Sequence, residues 1–157
     1  METRADWIQA IRNLPIQLRE KVDELTPEQL TTAYNSGEWT VAQNVHHLAD
    51  THMICFRRYK LILTSPDFTF TRYDVNKISA YPDANNADIE TSLMILTGLH
   101  ARWAMLLDNM TEDEWQKTGN FWDPDIPHYP LDRLTRVYAE HGLGHLQQIQ
   151  DVIDCMP

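Results

Sequence analysis

Residues 131–154 read LDRLTRVYAEHGLGHLQQIQDVID. Leu131, Leu134, Tyr138, His141, His145, Ile149 and Val152 recur at steps of three and four, the spacing of one helix face. The pattern predicts a long helix with an apolar seam interrupted by two imidazoles. His141 and His145 are four apart and so share that face. Neutral imidazole is the commonest protein metal ligand, and H-x-x-x-H lets two of them chelate one ion. The zincin form is excluded, because Gly142 and not Glu follows the first histidine. Gly142 and Gly144 lie between the two histidines, and each costs about 1 kcal/mol relative to Ala inside a helix. Two in one turn predict a close approach by backbone or ligand.

Working outward, three more long helices are expected. Thr40 caps one over about 41–63. Its stripe is Val41, Val45, Leu48, His52, Cys55, Tyr59 and Ile62, in alternating steps of four and three, a bundle seam. Another covers about 88–110, with Leu93, Leu96, Trp103 and Met110 inward. The first covers about 3–24, with Pro15 as a kink or a late start. Thr26-Pro27-Glu28-Gln29 and Thr111-Glu112-Asp113-Glu114 are capping boxes, opening short helices over 28–33 and 112–117. No segment alternates with period two, so strands are not expected.

The segment 64–87 carries Pro66, Pro82, Asn85-Asn86 and the aromatics Phe68, Phe70, Tyr73 and Tyr81. A connection this long predicts a crossover between helices that are not antiparallel neighbours. A second loop, 119–130, holds Trp122 and three prolines. The expectation is a single all-α domain spanning 1–157: a four-helix bundle with a long crossover loop between the second and third long helices.

Net charge is −10, from 13 basic and 23 acidic residues. That disfavours nucleic-acid phosphates and anionic membranes as partners. Cys55 and Cys155 form no C-x-x-C motif. The opening METRADWIQAIRNL lacks a signal-peptide core, and no stretch approaches the roughly 20 apolar residues of a membrane span. A cytoplasmic protein acting on a small molecule is expected.

A third ligand must come from elsewhere. Periodicity favours His52, on the seam of the second long helix. His47 sits about 140° around that helix from it, at 100° per residue. His46 and His100 are further candidates, and spacing leaves the choice open.

Several stretches together carry a family resemblance. They are Gly37-Glu38-Trp39-Thr40-Val41, Val45-His46-His47-Leu48-Ala49-Asp50-Thr51-His52-Met53, Arg58-Tyr59-Lys60-Leu61, Leu99-His100-Ala101-Arg102-Trp103, and Tyr138-Ala139-x-His141-Gly142-x-x-His145. They resemble the DinB-like superfamily, specifically its YfiT branch, over nearly the whole chain. The resemblance implies a four-helix bundle binding a divalent metal, Zn2+ or Ni2+, on one histidine of the second long helix and two of the last. Carried over, these are His47, His141 and His145, since the family's ligand directly precedes the Leu-Ala-Asp stretch. His52 and His100 become pocket candidates, and Arg58 and Arg102 join them by charge, as groups able to meet the carboxylates of a thiol cofactor. The branch is associated with S-transfer from a low-molecular-weight thiol such as bacillithiol, and with metal-dependent hydrolysis. It also implies a homodimer. The chain departs from the pattern at Glu140, Gly144 and Gln148, beside the last ligands. A helical binding or dimerisation module with packed histidines is the non-enzymatic alternative.

Overall fold

The computed structural model describes residues 3–65, 67–125 and 127–157. Four long helices form the bundle: α1 (Arg4–Val22), α3 (Val41–Thr64), α5 (Glu90–Asp108) and α7 (Leu131–Asp154). Short helices α2 (Pro27–Thr31), α4 (Val75–Ile78) and α6 (Glu112–Trp115) sit in the connections. Capping boxes at Thr3, Thr26, Thr40 and Thr111 open α1, α2, α3 and α6. In each, the threonine hydroxyl and a side chain three residues on satisfy otherwise orphaned N–H groups.

Helix α1 packs on α7 and α5, and α3 packs on those same two helices. Side-chain partners give the directions. His46 meets Ser92 and His52 meets His100, so α3 and α5 run parallel. Tyr59 meets Thr135 and Asn44 meets His145, so α7 runs antiparallel to α3. Parallel neighbours need a connection that returns along the bundle, which accounts for the long crossover after α3. That crossover contains α4 and a 3-10 turn at Pro82–Asn85. His46 ties its end down, facing the Asn86 carbonyl at 2.9 Å and the Ser92 hydroxyl at 2.8 Å.

The core has two regions. One gathers Leu14, Leu18, Val45, Leu48, Leu93, Leu96 and Ile149; the other gathers Tyr59, Ile62, Trp103, Leu107, Leu131 and Leu134. Helix α1 is continuous through Pro15, which is buried.

Two expectations are corrected. Strands do occur: β1 (Thr118–Asn120) pairs antiparallel with β2 (His128–Pro130), and Thr69 bridges to Asn120. Three-residue strands are too short to show a period. The close approach inferred for both glycines holds for Gly142 alone. A Cβ there would lie 2.8 Å from Leu14 Cδ2, whereas Gly144 faces open space.

Candidate metal centre

Helix α3 contributes His47 and α7 contributes His141 and His145. Their ring nitrogens point at one another: His47 Nε2 lies 3.3 Å from His141 Nε2, and His145 Nε2 lies 3.1 Å from it. The ligand atoms of the three residues all fall within 4.8 Å of each other. Nitrogens bound tetrahedrally to zinc at about 2.0–2.1 Å would themselves be about 3.3 Å apart.

The electrostatics favour neutral rings. Burial is the main cause that lowers the pKa of His47 to about 4, His141 to about 3 and His145 to about 4. For His47 and His141 the neighbouring imidazoles add to the shift. Neutral imidazole is the form that ligates a metal. Asn44 sets one ring. Its Nδ2 donates to the Thr40 carbonyl at 3.0 Å, so its Oδ1 is the atom facing His145 Nδ1 at 2.7 Å. His145 therefore carries its proton on Nδ1 and a lone pair on Nε2. Lone pairs converging at such distances repel unless a cation lies among them. The donor set suits a divalent ion with positions left open.

His52 does not join the three nitrogens. It lies behind them, fully buried, with Nε2 at 3.1 Å from His141 Nδ1. Its Nδ1 lies 2.9 Å from His100 Nε2, and His100 Nδ1 lies 2.5 Å from the Ile11 carbonyl oxygen.

A cavity of about 590 Å³ opens over the cluster, walled in part by Glu38, Trp39, Val75, Gln148 and Asp151. The indole of Trp39 stands edge-on to His47 with ring centres 4.7 Å apart. Trp39 and Asn44 were missed as site residues. Their signal was position, just before and within the first turn of the helix that carries His47. Of the expected pocket residues, Arg58 and Arg102 do not line this cavity. Arg58 is buried against Phe70 and Tyr73, with guanidinium-to-ring-centre distances of 5.0 and 5.4 Å. It borders a separate cavity with Arg57 and Arg72. Arg102 lies over Phe56. The loop aromatics Phe68, Phe70, Phe121 and Trp122 pack on one another, and the crossover's contribution to the cavity wall is Val75. No described helix is long and apolar enough to cross a membrane.

Comparison with known proteins agrees with this architecture. A protein of Geobacillus kaustophilus, provisionally named a metal-dependent hydrolase, is 44% identical over 146 residues, covering 92% of this chain and 80% of that one. YfiT of Bacillus subtilis, under the same provisional name, is 36% identical over 152 residues, covering 96% of this chain and 84% of its own. The solved structure of Bacillus subtilis YfiT, described as having an unusual four-helix bundle topology, superposes with a TM-score of 0.87 at 35% identity. That match covers 97% of this chain and 86% of that one. The sequence profile of the DinB superfamily matches residues 10–149. With its parallel α3 and α5 and its histidines gathered between α3 and α7, the chain belongs to the DinB superfamily.

Proposed function

We propose that the protein is a metal-dependent enzyme of small-molecule chemistry, in which His47, His141 and His145 hold a divalent ion, zinc or nickel, and a low-molecular-weight thiol is transferred to a small electrophile. The observation that carries it is the convergence of three neutral imidazole nitrogens beneath an open cavity. An ion held there would supply Lewis acidity, lowering the pKa of a small nucleophile at its open positions.

The chain's own residues bear on which nucleophile that is. Among the described residues, the hydrogen bonds of the three imidazoles run to Asn44, Gln148, His52 and one another, and none runs to a carboxylate. A thiol, with a pKa near 8.5, needs little help to ionise at neutral pH. Water, at about 15.7, needs far more. Trp39 gives the cavity an apolar wall suited to an organic electrophile.

Hydrolysis of a small amide or ester is the second reading. It is favoured by the relatives' provisional names and by Glu38 and Asp151 on the cavity wall, either of which could take a proton from water. The protein purified with its metal should be offered a haloaromatic electrophile with and without cellular thiols, and separately a panel of esters and amides. Metal-dependent conjugation that requires thiol supports the first reading. Product formed from water alone overturns it in favour of the second. Purified protein without stoichiometric metal overturns both.

A further inference from the structure

The line of histidines behind the cluster has a direction. His47, His141 and His145 are the outer members, and the line runs inward from His141 through His52 and His100 to the main-chain oxygen of Ile11. His52 and His100 are fully buried. Their partners are imidazoles and a main-chain carbonyl, with no carboxylate among them, and an unpaired charge buried that deeply is costly. Both rings are therefore neutral, each with one N–H and one lone pair.

A carbonyl oxygen only accepts. His100 must then donate from Nδ1, which leaves Nε2 to accept from His52 Nδ1–H. His52 Nε2 in turn accepts from His141 Nδ1–H. The lone pair of His141 is thereby placed on Nε2, the atom that faces His47 and His145. The opposite polarity would put a hydrogen on that atom and remove a donor from the cluster. The polarity of three rings thus follows from one acceptor on α1.

That acceptor is available because of proline. In an α-helix the carbonyl of residue 11 receives the N–H of residue 15. Residue 15 is Pro15, inside α1 and buried. Proline has no N–H, and its ring crowds the carbonyl four residues earlier. The Ile11 oxygen is left to His100.

We propose that Pro15 is a positioning residue for the metal centre: by withholding the helical donor from the Ile11 carbonyl, it fixes the tautomers of His100, His52 and His141 and so presents the His141 Nε2 lone pair to the ion. This rests on reading His141 as a ligand. Helix α1 supplies no member of the cluster, yet it sets the protonation pattern there. Outer partners of ligating histidines characteristically change metal affinity 10- to 100-fold when removed.

The test uses the full-length protein and Zn2+ as probe. Nitrogen-15 NMR of the metal-free wild type should assign Nδ1–H to His52, His100 and His141. Chelator competition should show zinc bound about 10–100-fold more weakly by His100→Leu, and several-fold more weakly by Pro15→Ala. The second variant restores a backbone N–H that competes for the Ile11 oxygen. Pro15→Ala should also melt no lower than wild type, since proline is the poorest residue in a helix interior. Weaker metal binding in a protein of undiminished stability is a combination that general damage to the fold does not produce. An Nε2–H tautomer at His52 or His141 in the wild type overturns the proposal, as does unchanged zinc affinity in Pro15→Ala, whatever His100→Leu shows. Failure of the wild type to bind zinc or nickel sinks the metal reading instead, and the tautomers still decide the polarity.

Discussion

Leu14 of α1 lies against Gly142 of α7 so closely that a Cβ at residue 142 would sit 2.8 Å from Leu14 Cδ2 and 3.2 Å from Leu14 Cδ1. Gly144, two residues on, has nothing within 4 Å of the same constructed position. The two glycines should answer the same substitution with opposite signs. Gly142→Ala overpacks a buried contact one residue from His141 and should cost about 1–3 kcal/mol. Gly144→Ala removes a poor helix former from an exposed position and should stabilise by up to about 1 kcal/mol. Urea denaturation of both variants checks this, and equal effects would refute the assignment.

Asn44 holds His145 through a 2.7 Å contact to Nδ1. Asn44→Ala leaves that N–H without its acceptor and frees the ring to turn. Divalent-metal affinity should fall about 10–100-fold, while helix content by circular dichroism stays at the wild-type level. His47→Ala, His141→Ala and His145→Ala should each abolish stoichiometric metal in elemental analysis. Full retention of metal by any of the three would remove that residue from the ligand set.

Acid should destabilise the metal-free protein before its carboxylates titrate. Folded-state pKa values of about 4 for His47, His100 and His145 and about 3 for His141, lowered mainly by burial, lie below the ordinary imidazole value of about 6.5. Below pH 6.5 the unfolded chain takes up protons that the folded chain refuses, so stability rises with pH in this range. The contribution is complete above about 6.5 and is lost progressively as pH falls toward 4. Each such histidine can remove about 1.4 kcal/mol per pH unit in that window. Denaturation midpoints at pH 7.5, 6.5 and 5.5 should decline, with the steeper drop below 6.5. Equal midpoints at 7.5 and 5.5 would contradict the buried neutral state.

The long helices were legible because their signals are local. A threonine cap falls at the start of α3 and steps of three and four run along all of α7, and the observed bounds of α7 coincide with its pattern. Helix α4, the 3-10 turn and the paired strands are each three or four residues long, too short for any periodicity. The strands bring Phe70, Phe121 and Tyr129 against one another, a long-range event that no local window contains. The case of His52 is more instructive. The apolar seam marks what faces the middle of the bundle, and His52 is indeed fully buried there. On α3 the residue that reaches the cavity, His47, lies off that helix's seam, where the core meets the cavity wall. Periodicity therefore pointed to the residue behind the cluster, and the residue that joins the cluster, His47, was picked out by resemblance. Arg58 and Arg102 were chosen by charge, which says nothing about direction. One packs under the crossover aromatics and the other over Phe56.

His47 and His141 stand 94 positions apart in the chain. An ion shared between them is a removable cross-link that closes most of the polypeptide into a ring. Because the ion would bind the folded arrangement and not the open chain, it would stabilise the fold by mass action, by about 4 kcal/mol at a thousandfold excess over its dissociation constant. Chelation should therefore lower the melting temperature and speed proteolysis even with every helix intact at the outset. A staple of this kind couples the lifetime of the protein to metal supply: copies made during scarcity would be the first cleared, so the pool would adjust to the amount of ion available to charge it.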